Sequence, residues 1–175
     1  MTTPAAVGTV LGTLEDGAVA TQGEEGRKVF TYPDGSTIVQ SADGDTLSER
    51  FADGTLVENL PDGVIKQTSP DGSINVQYTK TGVKVQIKGT VKITTMPGCL
   101  MQEDSASGYR AMRFPDGYEL VEMNDGTSID VSPEGETKVT KADGTVIETF
   151  DDKSKRVTLP DGSQRTVPPP PPDAV

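Results

Sequence analysis

The chain has 175 residues and a formal net charge of −11, a balance that repels nucleic-acid backbones and anionic membrane surfaces. It has no histidine and one cysteine, so imidazole metal sites, thiolate zinc sites, Ser-His-Asp and Cys-His nucleophile pairs and an internal disulfide are all excluded. Only 33% of residues are hydrophobic, with four Phe, four Tyr and no Trp, and they are spread too thinly for a thick core or a membrane-spanning run.

Glycine recurs about every nine residues, usually behind Asp. In residues 1–25 the beat is present at Gly8 and Gly17 but strand formers are weak, so looser order is expected there. From residue 26 to 165 the pattern strengthens. Pro-Asp-Gly stands at 33–35, 61–63, 70–72, 115–117 and 160–162, and Ala-Asp-Gly at 42–44, 52–54 and 142–144. Asp-Gly is a hairpin-turn signal, because glycine takes positive φ freely and Asp bonds its own backbone. Subtracting the turn leaves segments of strand length, such as Arg27–Tyr32, Thr55–Leu60, Tyr118–Met123 and Thr145–Phe150, rich in β-branched and aromatic residues. The expectation is about sixteen short strands in up-and-down order with essentially no helix.

Residues 80–94 form the cleanest amphipathic hairpin. Val83, Val85 and Ile87 alternate with Lys84, Gln86 and Lys88, and Val91 and Ile93 with Lys92. The plainer reading of the lysines is a solvated face that discourages edge pairing. The functional one is a docking strip for an acidic partner such as a tubulin tail. The beat is irregular near 95–108. Cys99, after Pro97-Gly98, reads as a free thiol packed at a strand start, and Met101–Gly108, polar and short of strand formers, as a longer loop or a break. Regular spacing resumes at Gly117, and only Lys153 stands where a glycine is due. Residues 166–175 form a proline-rich tail whose Pro168–Pro172 run favours polyproline II. It could cap the last edge, act as a linker, or present itself to a profilin- or SH3-like partner.

Apolar residues fall on both phases of the strands, three after the glycine and two before the Asp. Two half-apolar faces suit an all-β, open, single-layer antiparallel β-meander rather than a sandwich or barrel. The turn type is left open: a two-residue loop keeps one phase on one face, whereas a three-residue bulged loop alternates it strand by strand. Calcium is the main competing use of the acidic turns. Here, though, glycine follows Asp, doubled glycines are missing, and turns on one edge repeat only every ~9–10 Å, too far apart to share a metal. No cofactor is expected, and a reducing, intracellular compartment fits the single cysteine.

Tyr32-Pro-Asp-Gly35, Phe51-Ala-Asp-Gly54 and Phe114-Pro-Asp-Gly117 resemble the tandem hairpins of the T-complex 10 C-terminal (TCP10) domain, the glycine-rich G-box of centriolar and ciliary scaffold proteins, over residues 26–165. The resemblance implies an exposed single-layer meander that receives a proline-rich partner segment on one face and can stack end to end. Carried onto this chain, it implies peptide-receiving aromatics at Tyr32, Phe51, Phe114 and Phe150, with Tyr78 and Tyr118 nearby; packing within the sheet is the plainer role for each. The chain departs from a centriolar organiser in being nearly all G-box-like, with no long coiled coil or tubulin-binding region. The expected function is therefore a non-enzymatic structural module of a microtubule-based assembly, an axoneme or centriole. Its partners would be other proteins of that assembly, including Pro-rich peptides or tubulin, and neither nucleic acid nor membrane. The alternative is a calcium-binding or secreted, fibre-type repeat protein.

Overall fold

A computed structural model describes residues 8–171. They form two compact units that divide between Gly89 and Thr90. In the first lie β1 (Thr9–Thr13), β2 (Val19–Gln22), β3 (Lys28–Thr31), β4 (Thr37–Gln40), β5 (Thr46–Arg50), β6 (Leu56–Leu60), β7 (Val64–Thr68), β8 (Ile74–Tyr78) and β9 (Val83–Lys88). In the second lie β10 (Val91–Met96), β11 (Cys99–Asp104), β12 (Tyr109–Arg113), β13 (Glu119–Glu122), β14 (Ser128–Val131), β15 (Thr137–Thr140), β16 (Val146–Thr149), β17 (Lys155–Thr158) and β18 (Gln164–Val167). Within each unit every strand pairs antiparallel with its neighbours in sequence. Single 3-10 turns at Glu24–Gly26 and Pro61–Gly63 are the helical content among the described residues. Each unit is an open antiparallel meander.

The turns follow one plan. At Tyr32–Ser36 the Gly35 N–H donates to the Tyr32 carbonyl at 3.0 Å and the Tyr32 N–H to the Ser36 carbonyl at 2.9 Å. Gly35 has φ 88°, and the Ser36 N–H donates to Asp34 Oδ1 at 2.9 Å. This is a type I turn closed by a glycine bulge, a three-residue loop. The same two backbone bonds recur around Gly54, Gly72, Gly117, Gly126, Gly135, Gly144 and Gly162. Pro61-Asp62-Gly63 departs from it, with both Asp62 and Gly63 at positive φ.

Loop length settles which residues share a face. From β12 to β18 facing residues are always an even number apart, as in Met112↔Leu120 and Leu120↔Asp130. Even-numbered residues therefore line one face and odd-numbered residues the other. A nine-residue repeat then alternates faces at each turn, so each recurring position has an eighteen-residue period on one face.

Eighteen strands form among the described residues, in keeping with the expected meander of about sixteen. One expectation needs correction. The break expected at Met101–Gly108 is in large part strand: β11 pairs with β10 from Met96↔Cys99 to Val91↔Asp104, and with β12 from Leu100 to Asp104. Its residues are poor strand formers, but their charges meet opposite charges across the sheet. Glu103 faces Lys92 at 3.1 Å and Arg110 at 3.9 Å, and Arg110 reaches Glu122 at 3.4 Å. Cross-strand pairing overrides propensity here. Residues 9–13 and 19–22, in the segment expected to be looser, form the paired strands β1 and β2; residues 1–7 lie outside the described residues.

Among the described residues no large side chain is fully buried, and Ala18, Ala20, Ala111 and Val121 are the buried apolar residues. The two faces also differ more than the sequence suggested. In the second unit Ala111, Val121, Ile129, Val139, Ile147 and Val157 face one another in a row across six strands. In the first, Leu56, Leu60, Val64, Ile74, Val76, Tyr78, Val83, Val85 and Ile87 share one face of β6 to β9, interrupted by the Glu58–Lys66 ion pair at 2.9 Å. These rows are the nearest thing to a core: one-layer aliphatic spines whose cross-strand pairs stabilise by about 0.2–1 kcal/mol each.

Candidate functional site

The face opposite the aliphatic row in the second unit carries a cluster of aromatic and charged residues. Phe114 precedes the β12–β13 turn and Tyr118 follows it, with ring centroids 5.7 Å apart and planes inclined at 46°. Such tilted pairs add about 0.5–1.5 kcal/mol beyond their burial. The Tyr118 hydroxyl donates to Asp130 Oδ1 at 2.5 Å, and this bond pushes the phenol pKa up from its ordinary 10.0. Two turns further along the same edge, Phe150 lies under the Arg156 guanidinium, 5.5 Å from ring centre. Arg156 Nε donates to Glu148 Oε2 at 2.6 Å; that bond holds the Glu148 carboxyl below its usual 4.5 and raises the guanidinium. A shallow open hollow joins the two clusters, lined among others by Tyr118, Asp130, Ser132, Lys138, Glu148 and Phe150. Its rings are fixed by neighbours rather than free to collapse, and its rim is polar.

The three-residue turn puts these groups together. Phe114, Ser132 and Phe150 occupy equivalent pre-turn positions eighteen residues apart, so all three fall on one edge and one face. The intervening pre-turn residues Met123, Lys141 and Leu159 fall on the other. Asp130, Glu148 and Arg156 were not singled out from the sequence. Their shared face follows directly from loop length, which the sequence left open.

The other anticipated residues are placed differently. In the first unit, alternation from Thr31 and Arg50 puts Tyr32 and Phe51 (41% exposed) on the face away from the Leu56–Ile87 cluster. That face is rich in amides: Gln67, Asn75, Gln77 and Gln86 line a shallow hollow with Ile65 and Lys84. Tyr78, also 41% exposed, lies on the opposite, aliphatic face facing Val64 and Val83, so it does not join Tyr32 and Phe51. Lys84 and Lys88 share one face of β9, exposed and in no ion pair among the described residues. Lys92 belongs to the second unit and is bonded to Glu103 at 3.1 Å, so the three lysines do not form one free strip. Among the described residues no group of three or more Cys, Asp or Glu converges as metal ligands would. The turn aspartates instead accept the backbone N–H of the residue two positions on: Thr55 to Asp53, Ser73 to Asp71, Thr127 to Asp125 and Thr145 to Asp143.

No family model matches the chain, and neither does any curated protein. Solved structures do. The G-box domain of the microcephaly protein CPAP, whose structural analysis suggests a role in centriole elongation, is 22% identical over 83% of this chain and 100% of its own, with a TM-score of 0.66. The TCP10 domain of Danio rerio CPAP, solved with a peptide of Danio rerio STIL, is 21% identical over 87% of this chain and 94% of its own, with a TM-score of 0.58. Low identity and high coverage agree with a fold specified by turn spacing rather than by particular side chains, and the fold of this chain is that of the TCP10, or G-box, domains.

Proposed function

We propose that the chain is a non-enzymatic scaffold module that captures an extended, proline-containing peptide on the Phe114–Tyr118–Phe150 face, within a microtubule-based assembly such as a centriole or axoneme. One geometric match carries the reading. Pre-turn residues on one edge and face recur every two strands, a spacing of about 9.6 Å. A polyproline II helix advances about 9.3 Å per three-residue turn. A peptide laid along that edge would set one ridge residue over Phe114 and Tyr118, the next over Ser132, and the third over Phe150. Proline rings stack well on aromatic faces, and a polyproline II ligand loses little entropy on binding. The Tyr118–Asp130 and Glu148–Arg156 pairs leave carboxylate and guanidinium groups at the rim for the peptide's backbone and polar side chains.

The similar Danio rerio domain was solved with a STIL peptide, which supports peptide capture as a use of this fold. The centriolar role suggested for the CPAP G-box supports the choice of assembly. Tyr32 and Phe51 offer a second, amide-lined face of the same kind, and Lys84 and Lys88 beside it suit an acidic segment such as a tubulin tail. The test is a titration of the full chain with a synthetic peptide bearing proline at every third position. Tyr118→Ala and Phe150→Ala should each weaken binding about tenfold or more, ~1.4 kcal/mol, with the β spectrum retained. Val139→Thr, on the opposite face, should leave it unchanged. Equal effects on both faces, or none, would discard the proposal.

A further inference from the structure

The outermost strand of the second unit runs directly into an uninterrupted proline run. β18 pairs with β17 alone among the described residues, and all four of its residues are exposed. Pro168–Pro171 follow, exposed and outside any strand. Consecutive prolines take up polyproline II, with three residues per turn and no internal hydrogen bonds. The residues just before the run give that helix an ordered pattern. In a polyproline II helix extended back to Arg165, the residues Arg165, Pro168 and Pro171 would stack along one ridge, Val167 and Pro170 along the adjacent apolar ridge, and Thr166 and Pro169 would point away from both.

We infer that Arg165–Pro171 is a docking ligand for an SH3-type module, read as two apolar ridges followed back to a single cation. Such modules hold polyproline II in an aromatic-lined groove. The Val167/Pro170 and Pro168/Pro171 ridges fill adjoining slots of that groove, and the Arg165 guanidinium reaches an acidic rim at its end. Arg165 is available for this: Val157 faces it across the ladder, and it makes no ion pair among the described residues. A guanidinium suits the role better than an ammonium because its planar fork binds a carboxylate bidentately. To join the helix, Arg165–Val167 must leave β17. An exposed edge strand of four residues lies at the low end of local stability, so this opening is accessible. The inference does not rest on the aromatic face of the same unit, which is where a second copy would capture this tail instead.

The test titrates the full chain with isolated SH3 domains that carry an acidic rim, with profilin and a WW domain as comparison probes. Saturable one-to-one binding to an SH3 domain is expected. Pro168→Ala, Pro171→Ala and Arg165→Ala should each weaken it about tenfold, ~1.4 kcal/mol, while Pro169→Ala should change it little. Arg165→Lys, which keeps the charge and loses the fork, should fall between, and it serves as the readout if Arg165→Ala disturbs β18. Absence of binding to every SH3 domain overturns the proposal. So does binding that ignores Arg165 and depends equally on all prolines, the pattern of a plain polyproline reader such as profilin. Concentration-dependent self-association abolished by Pro168→Ala, without SH3 binding, would overturn it in favour of capture by a second copy.

Discussion

Lys153 occupies the bulge position that glycine fills in the neighbouring turns, with φ 67° and the same N–H bond to the Phe150 carbonyl at 2.9 Å. A non-glycine residue in the left-handed region is strained by roughly 1–2 kcal/mol, partly offset by the greater freedom that glycine loses on folding. Lys153→Gly should therefore stabilise the chain by about 0.5–1 kcal/mol net, read as a shift in denaturant midpoint. Thr94 is the reverse case: its hydroxyl is buried without a partner, so isosteric Thr94→Val should be neutral or stabilising by up to about 1 kcal/mol. The turn aspartates predict the acid response. Asp34, Asp152 and Asp161 are held below their usual 3.8 first by a hydroxyl two residues on and then by its backbone N–H, and Asp71, Asp125 and Asp143 by the same bonds in the opposite order. Depressed carboxyl values add stability that is fully present above the unfolded value and is lost as pH falls through the folded one. The denaturant midpoint should thus stay level from neutrality to about pH 5 and drop below about pH 4. A midpoint that rises on acidification would contradict the assigned bonds.

At the scale of strands and turns, loop length is the controlling variable. Removing Pro133, so that a two-residue loop replaces Pro133-Glu134-Gly135, would force β15 to face β14 out of phase or leave the turn unbonded. It should cost far more stability than Pro133→Ala, which keeps the loop length. This also explains what the sequence revealed and what it withheld. Asp-Gly at a nine-residue beat is a local signal, so the strands, their order and the lack of helix were readable at once. Which side chains share a face depends on one residue of loop length, and Pro-Asp-Gly is compatible with more than one turn. Phe114 and Phe150 could therefore be singled out as a type, but Asp130, Glu148 and Arg156 could not be assigned to their side of the sheet. Tyr78 was grouped with Tyr32 and Phe51 for the same reason, although it lies on the other face. The Met101–Asp104 part of β11 is hidden from local reading because Met101 and Gln102 are weak strand formers and the charges that secure Glu103 lie on other strands.

At the scale of the whole chain, stability is a sum of neighbour-to-neighbour pairings rather than the property of a shared interior. Local opening should then follow position in the ladder. In hydrogen exchange within the second unit, amides of β18 should exchange faster than those of β13 to β15, and uniform protection would contradict this. The proposed working surface is correspondingly a face, not a pocket. The most direct measurement is an amide and methyl chemical-shift map of the full chain titrated with the every-third-proline peptide. The account expects perturbations concentrated at Tyr118, Asp130, Ser132, Lys138, Glu148 and Phe150, with the methyls of Val121, Ile129, Val139 and Ile147 nearly still. Shifts centred on those aliphatic methyls, or no shifts at saturating peptide, would contradict it.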